Sequence, residues 1–246
     1  MVRTLVDFAH ATASTLDPEA MTQPRIECRA VSKVLQAAGE RLQILNGIDF
    51  SVEDGESIAI LGPSGSGKST LLGLMAGLDR ATTGSVLLDG VPLEDKSEDQ
   101  LALLRRGRVG FVFQAFHLLP NLNAIENVRI PLELIGRTDA RERSAELLER
   151  VGLSDRALHY PNQLSGGEMQ RIAIARAFGA RPSLMFADEP TGNLDFATGG
   201  KVLDLLMELR EVDGMTMVLV THDEAVAARA TRRIHLHAGS IDRIES

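Results

Sequence analysis

The sequence predicts an α/β fold, a parallel sheet wound with helices and preceded by a smaller antiparallel sheet. Three features predict it. A glycine-rich stretch, Gly62 to Thr70, separates an apolar strand from a helix. Short continuous apolar runs recur at Ser57 to Leu61, Ser183 to Ala187 and Met215 to Val220, and stretches of helical period lie between them. Ahead of the glycine-rich stretch, Arg25 to Asp54 alternates strand-like runs with turn residues.

Composition bounds the rest. A chain of 246 residues, 44% hydrophobic and 24% charged, can bury the core of one large domain. The net charge of −8 repels nucleic acid, so no nucleic-acid partner is expected and any phosphate site must rest on local donors. The single cysteine, Cys28, has no internal partner for a disulfide and reads as a small buried residue in a strand. No apolar run approaches the ~18 residues of a membrane span. Asp7 and His10 interrupt the apolar core that a signal peptide requires, so a cytoplasmic protein is expected.

Taken in order, residues 1–24 lack a sustained period and carry Pro18 and Pro24, which predicts a disordered extension, with Met21 as an alternative start. The domain proper is expected over 25–246. Ile26 to Val31 and Leu42 to Val52 read as antiparallel strands around a loop at Ala37 to Glu40, and Gly55 ends that unit. The strand Ser57 to Leu61 leads into the glycine-rich loop and a helix, Thr70 to Ala76. A turn over Asp79 to Gly84, a strand over Ser85 to Asp89 and a short helix over Ser97 to Arg105 follow. Val109 to Gln114 reads as a strand ending on a polar residue, and the loop after it, Ala115 to Pro120, is unusually apolar. Helices are expected over Thr138 to Val151, Gly166 to Phe178, Gly199 to Val212 and Asp223 to Arg229, with buried strands over Ser183 to Ala187 and Met215 to Val220.

Gly62, Pro63, Ser64, Gly65, Ser66, Gly67, Lys68, Ser69 and Thr70 match G-x-x-x-x-G-K-[ST] in the required strand–loop–helix setting. Glycines let backbone N–H groups converge on one point, Lys68 adds positive charge there, and a polyphosphate fits both. Phosphate chemistry calls for Mg2+, which takes hydroxyl and carboxylate oxygens while keeping waters. Ser69 supplies the hydroxyl. Asp188 and Glu189 leave the C-terminal end of an apolar strand, where open α/β sheets bind ligands, so Asp188 is expected to hold the metal and Glu189 to polarise the attacking water. His222 emerges beside them after the strand Met215 to Val220, within reach of a γ-phosphate. Gln114, also at a strand end, offers an amide oxygen to the metal or to water. Ser165, Gly166, Gly167 and Glu168 open a helix. Their free N–H groups make a second anion site, or Ser165 and Glu168 form a capping box; the tandem glycines favour close backbone approach over capping alone.

From Arg25 to Ile241 this order of motifs resembles the nucleotide-binding subunit of ATP-binding-cassette (ABC) transporters: phosphate loop, Gln114, LSGGEMQ, Asp188-Glu189, Asp195 and His222. FVFQAFHLLPNLNAIENV and FADEPTGNLD look most like the lipoprotein-release and macrolide-export branch, and within it the YbbA-like proteins. The resemblance implies a P-loop NTPase ABC ATPase domain with a RecA-like core, an antiparallel β subdomain and a small helical subdomain at about 115–178. It also implies a head-to-tail homodimer with ATP held between the phosphate loop of one copy and Ser165, Gly166, Gly167 and Glu168 of the other. Lys68, Glu189 and His222 are then catalytic, Glu189 as base and His222 as γ-phosphate sensor. Ser69, Gln114 and Asp188 hold Mg2+, and Asp195 communicates across the dimer. The partner is a transmembrane permease at the cytoplasmic face of the inner membrane. Phe116 to Leu119 either docks its coupling helix or tucks into the helical subdomain. An ABC-type ATPase that signals to an envelope or cell-division complex without transport is the alternative. DNA-repair relatives place a long coiled coil between phosphate loop and signature, and no sustained heptads occur here.

One position departs from the family pattern. Many relatives stack adenine on an aromatic side chain ahead of the phosphate loop, yet no Phe, Tyr or Trp lies between Ala9 and Asp49, and Leu35 occupies the expected place. Losing that stacking weakens base discrimination by about 1 kcal/mol. ATP and GTP are therefore expected to turn over equally in a steady-state assay, and a preference for ATP above about tenfold (~1.4 kcal/mol) contradicts the assignment.

Overall fold

The computed structural model describes residues 23–37 and 40–246. The expected N-terminal extension lies, but for Gln23 and Pro24, outside the described residues, as do residues 38 and 39 of the first loop.

Two sheets carry the fold. In the first, β1 (Ile26–Ala37) pairs antiparallel with β2 (Glu40–Val52) on one side and with β4 (Thr83–Leu88) on the other, and β5 (Val91–Pro92) extends the edge. The second has six strands in the order β10-β9-β3-β8-β7-β6. Its parallel members are β9 (Arg232–His237), β3 (Ser57–Leu61), β8 (Thr216–Thr221), β7 (Leu184–Asp188) and β6 (Val109–Phe113), with β10 (Ser240–Glu245) antiparallel at the rim.

The inner parallel strands are buried on both faces, which is why their sequences read as unbroken apolar runs. Period 2 then sorts each side chain to one of two cores. Ile58, Ile60, Phe186, Val218 and Val220 face the antiparallel sheet and α1 (Lys68–Met75). Ala59, Leu61, Met185, Met217 and Leu219 face a helical layer that includes α5 (Gly166–Phe178) and α6 (Phe196–Asp213). Helices α3 (Ala124–Leu134) and α4 (Ala140–Arg150) pack on each other and on α5, forming a bundle beside the sheet. The remaining helices are α2 (Glu98–Arg105), capped by Ser97 and Gln100, and the single turn α7 (Glu224–Ala227).

Three expectations differ from the structure. The sequence reading assigns no helix between Pro120 and Thr138. The structure forms α3 there, started by a reciprocal cap between Asn123 and Glu126 and anchored by the buried Asn127, whose amide bonds the carbonyls of Leu119, Leu122 and Asn123. The sequence reading also ends its regular elements at Arg229, whereas Arg232–His237 and Ser240–Glu245 form a hairpin turning on Ala238 and Gly239, both at positive φ. Finally, α6 starts three residues before the expected Gly199, because the Asp195 carboxylate accepts from the Thr198 N–H at 3.0 Å and fixes the start at Phe196.

Candidate functional site: the phosphate loop and the strand ends around it

Parallel register decides where the functional side chains stand. Leu61 pairs with Thr221 and with His235, Asp188 with Val220, and Phe113 with Asp188, so five strand ends form one line. The residues following four of them, the ends of β3, β6, β7 and β8, are Gly62, Gln114, Glu189 and His222. Sequence reasoning had assigned each of these a role, and the sheet delivers them to one edge.

The phosphate loop is held by its surroundings as much as by its own turns. A Cβ on Gly62 would lie 2.2 Å from the Leu236 carbonyl oxygen, and one on Gly67, at φ 102°, would lie 2.7 Å from Leu45 Cδ2 and 2.9 Å from the Ile44 oxygen. No other residue fits either position. Gly239 N–H donates to the Ser66 carbonyl at 3.1 Å and its own carbonyl accepts from Asn46 N–H at 2.8 Å, so the C-terminal hairpin clamps the loop to β2. The buried Lys68 ammonium donates to the carbonyls of Gly62 (2.8 Å) and Pro63 (3.1 Å), which keeps its charge inside the ring of loop amides.

Ser69 Oγ donates to Asp188 Oδ1 at 3.3 Å. Burial pushes the Asp188 carboxyl above its ordinary 3.8; the Ser69 hydrogen bond opposes this and the adjacent Glu189 charge adds to it. A cation at this point relieves the desolvation. Glu189 sits at φ +46°, a left-handed conformation that costs a non-glycine residue on the order of 1 kcal/mol, while its N–H donates to the Val220 carbonyl at 2.8 Å. Thr221 Oγ1 donates to Glu189 Oε2 at 3.4 Å and His222 Nδ1 lies 2.9 Å from Glu189 Oε1. With Nδ1–H given to the ionised carboxylate, Nε2 donates to a second acceptor only in the doubly protonated ring. Gln114 is exposed and exchanges two bonds with Asn193, Nε2 to Oδ1 at 3.1 Å and Asn193 Nδ2 to the Gln114 carbonyl at 2.9 Å, leaving Gln114 Oε1 for another partner.

Mg2+ suits this donor set: one hydroxyl, one half-buried carboxylate and one amide oxygen, with the remaining positions left to water and phosphate. Among the described residues no group of three or more His, Cys, Asp or Glu converges as an all-protein cage would require.

The structure does not bring the serine–glycine helix start to this edge. Ser165 Oγ donates to Glu168 Oε2 at 2.9 Å and accepts the Glu168 N–H at 3.3 Å, the Ser165 N–H reaches Glu168 Oε2 at 2.8 Å, and Arg156 bonds Glu168 Oε1 at 3.0 Å. Among the described residues none of these bonds reaches Gly62 to Thr70. The capping box is therefore real. The argument that tandem glycines have no use in a capped helix is corrected: a Cβ on Gly167 would lie 2.5 Å from Thr198 Cγ2, so packing of α5 on α6 already demands that glycine. Gly166 is looser, with Leu194 Cδ2 at 3.3 Å.

Leu35 stands 45% exposed on β1 opposite the 55% exposed Leu42, an apolar pair open to solvent. Asp195 caps α6, and hydrogen bonds from Thr198 hold its carboxyl below the usual range. The apolar segment after Gln114 divides: Phe116 and Leu118 are half-buried, and Leu119 is exposed. Phe116 and His117 both have positive φ, and Arg176 of α5 holds their carbonyls at 2.8 and 2.5 Å. Sequence reasoning missed Asn193, Thr221, Arg176 and Gly239; of these, only the Gly239 turn had a compositional signal.

A nucleotide loop, a Ser–Asp pair and a Glu–His pair along one parallel edge define a phosphate-handling ATPase cassette. Residues 45–192 match the ABC transporter family model, and the chain belongs to that family. It is 49% identical over 218 residues to the uncharacterized ABC transporter ATP-binding protein YbbA of Escherichia coli (strain K12), covering 88% of this chain and 96% of that one. It is 50% identical over 203 residues to the lipoprotein-releasing system ATP-binding protein LolD of Legionella pneumophila (strain Paris), covering 82% and 89%. The dimeric post-hydrolysis structure of the ATP-binding cassette MJ0796 bound to ADP and Pi superposes with a TM-score of 0.84 at 42% identity, over 90% of this chain and 98% of that one.

The capping box gives a pH test. Hydrogen bonds from the Ser165 amide and hydroxyl, with Arg156, lower the Glu168 carboxyl from its ordinary 4.5. A depressed folded value means that the ionised form stabilises the protein above the unfolded value and that the gain is lost as pH falls through the folded one. Glu168→Gln keeps a capping acceptor and loses the charge, so denaturation curves are expected to show a deficit of about 0.5–1 kcal/mol at neutral pH that shrinks below about pH 4.5. A deficit unchanged at about pH 3 contradicts this account.

Proposed function

We propose that two copies of this chain pair head to tail around two ATP molecules, at the cytoplasmic face of the inner membrane, and that their closing and opening drives a permease of the lipoprotein-release and macrolide-export type. Among the described residues no helix is long and apolar enough to cross a membrane, so a separate subunit supplies the path. The observation that carries the reading is the separation of the two anion-binding elements within one chain. The loop edge holds Lys68, Ser69, Asp188, Glu189 and His222, while Ser165 to Gly167 are bonded elsewhere. Head-to-tail pairing brings the second element of one copy over the first element of the other.

In this arrangement the N–H groups from Ser64 to Thr70 surround the phosphates and Lys68 moves from the loop carbonyls to phosphate oxygens. Ser69, Asp188 and Gln114 would hold Mg2+, which when bound would neutralise charge on the phosphates. Leu35 lies against the base. Glu189 accepts a hydrogen bond from the attacking water, takes up its proton as the oxygen attacks, and is kept in place by Thr221 and His222. His222 Nε2 faces the γ-phosphate and reports its presence to Glu189. Ser165, Gly166, Gly167 and Glu168 of the other copy close the site from the far side, and Asp195 lies between the two copies. Leu119, exposed in the segment that follows Gln114, contributes to the surface on which the permease docks. The resemblance in sequence to a lipoprotein-releasing ATP-binding subunit supports this class of permease over other exporters.

Glu189→Gln removes the proton acceptor and keeps the size and hydrogen-bonding shape. Turnover is expected to fall by on the order of 10³-fold, with ATP-dependent dimers preserved in sedimentation velocity. Dimers that disappear together with turnover contradict the role given to Glu189.

A further inference from the structure

Phe196 is the most exposed large apolar side chain among the described residues, at 92%. It is the first residue of α6, directly after Asp195, and the cap that Asp195 provides holds its position. Single exposed apolar residues are common and need no explanation. Here a complementary hollow lies on the same face. A cleft of about 460 Å3 opens between α6 and α7, floored by the buried Leu203 and Val226 and flanked by Leu194, Gly200 and Phe196 itself, with Glu189 and His222 at one end. A Cβ on Gly200 would meet nothing within 4 Å, so that wall is open.

We infer that Phe196 of each copy enters this cleft of the other, as a paired anchor of the nucleotide-bound dimer. The inference rests on the head-to-tail reading above and adds the contact that makes closure favourable. A two-fold interface repeats each contact, so a projecting group and a hollow on one face satisfy each other twice. The cleft is continuous with Glu189 and His222, which that reading already places between the copies, whereas the permease docks around Leu119. A second copy is therefore the occupant the geometry selects. Burying a phenyl ring removes roughly 150–200 Å2 from water, and buried aromatic residues are typical interface anchors. Because Phe196 adjoins Asp195 on one side and its receptor cleft ends at His222, the anchor seats only when both copies bring their catalytic edges together.

The test measures the dimer dissociation constant with Mg2+ and ATP in the Glu189→Gln protein, alone and combined with Phe196→Ser or with Gly200→Leu. The first removes the projecting ring. The second fills the hollow from its own helix, where replacing glycine also favours the helical state. Each combined variant is expected to dimerise at least about tenfold more weakly, while the monomer binds a fluorescent ATP analogue as before and melts no lower. Dimerisation as tight as the parent in either combined variant overturns the inference and leaves the two-copy reading intact. A Glu189→Gln parent that does not dimerise at all overturns both.

Discussion

The register of the parallel sheet is the constraint on which the rest depends. Pairing Leu61 with Thr221 and Asp188 with Val220 places the loop, both carboxylates and the histidine at one edge without any loop having to carry them there. A one-residue slip of β7 would exchange the faces of Phe186 and Ala187 between the two cores and carry Asp188 away from Ser69. Such a slip would bury phenyl rings where small residues pack, so hydrophobic burial enforces the geometry of the chemistry. The cost appears at Glu189, whose backbone is left-handed while its N–H continues the ladder to Val220.

The same sheet underlies the proposal that each copy holds an incomplete centre. Everything at the edge comes from strand ends. The signature helix α5 comes from the bundle packed on the far core, and its start is fixed there by Glu168, Arg156 and Thr198. That start is rigid and capped, yet the N–H groups of Gly166 and Gly167 remain outside its own hydrogen bonds. Rigidity suits a lid that must arrive already formed, since ordering it on contact would consume binding free energy. Links between the two halves run through the segment after Gln114. Asn193 grips Gln114, Arg176 grips Phe116 and His117, and Leu194 lies against Gly166, so the bundle and the strand ends are joined by side chains in contact.

Much of this was legible in the sequence because it is local. The phosphate loop needs particular residues at fixed spacing, and the buried strands announce themselves by continuous apolar runs. Asp188, Glu189 and His222 follow such strands directly, so their placement needed only the rule that parallel strands share an edge. What stayed hidden depends on contacts distant in sequence. Helix α3 carries Pro131 in its interior, and its packing on α4 and α5 is not visible in one dimension. The C-terminal hairpin is short and mixed in polarity, and its role comes from Gly239 meeting Ser66 and Asn46 across the fold. Gly167 has a use that the sequence hides: the missing side chain makes room for Thr198 where α5 packs on α6. Exposure of Phe196 likewise has no one-dimensional signature, since its neighbours give it no period.

The central proposal is a reaction centre divided between two copies. The most direct measurement is ATP hydrolysis per molecule of the isolated protein as its concentration is lowered at saturating Mg2+ and ATP. The account predicts that the specific rate falls in proportion to protein concentration once dimers dissociate, with near second-order dependence of total rate in the dilute limit. A specific rate that stays level down to concentrations where sedimentation shows only monomer would contradict it.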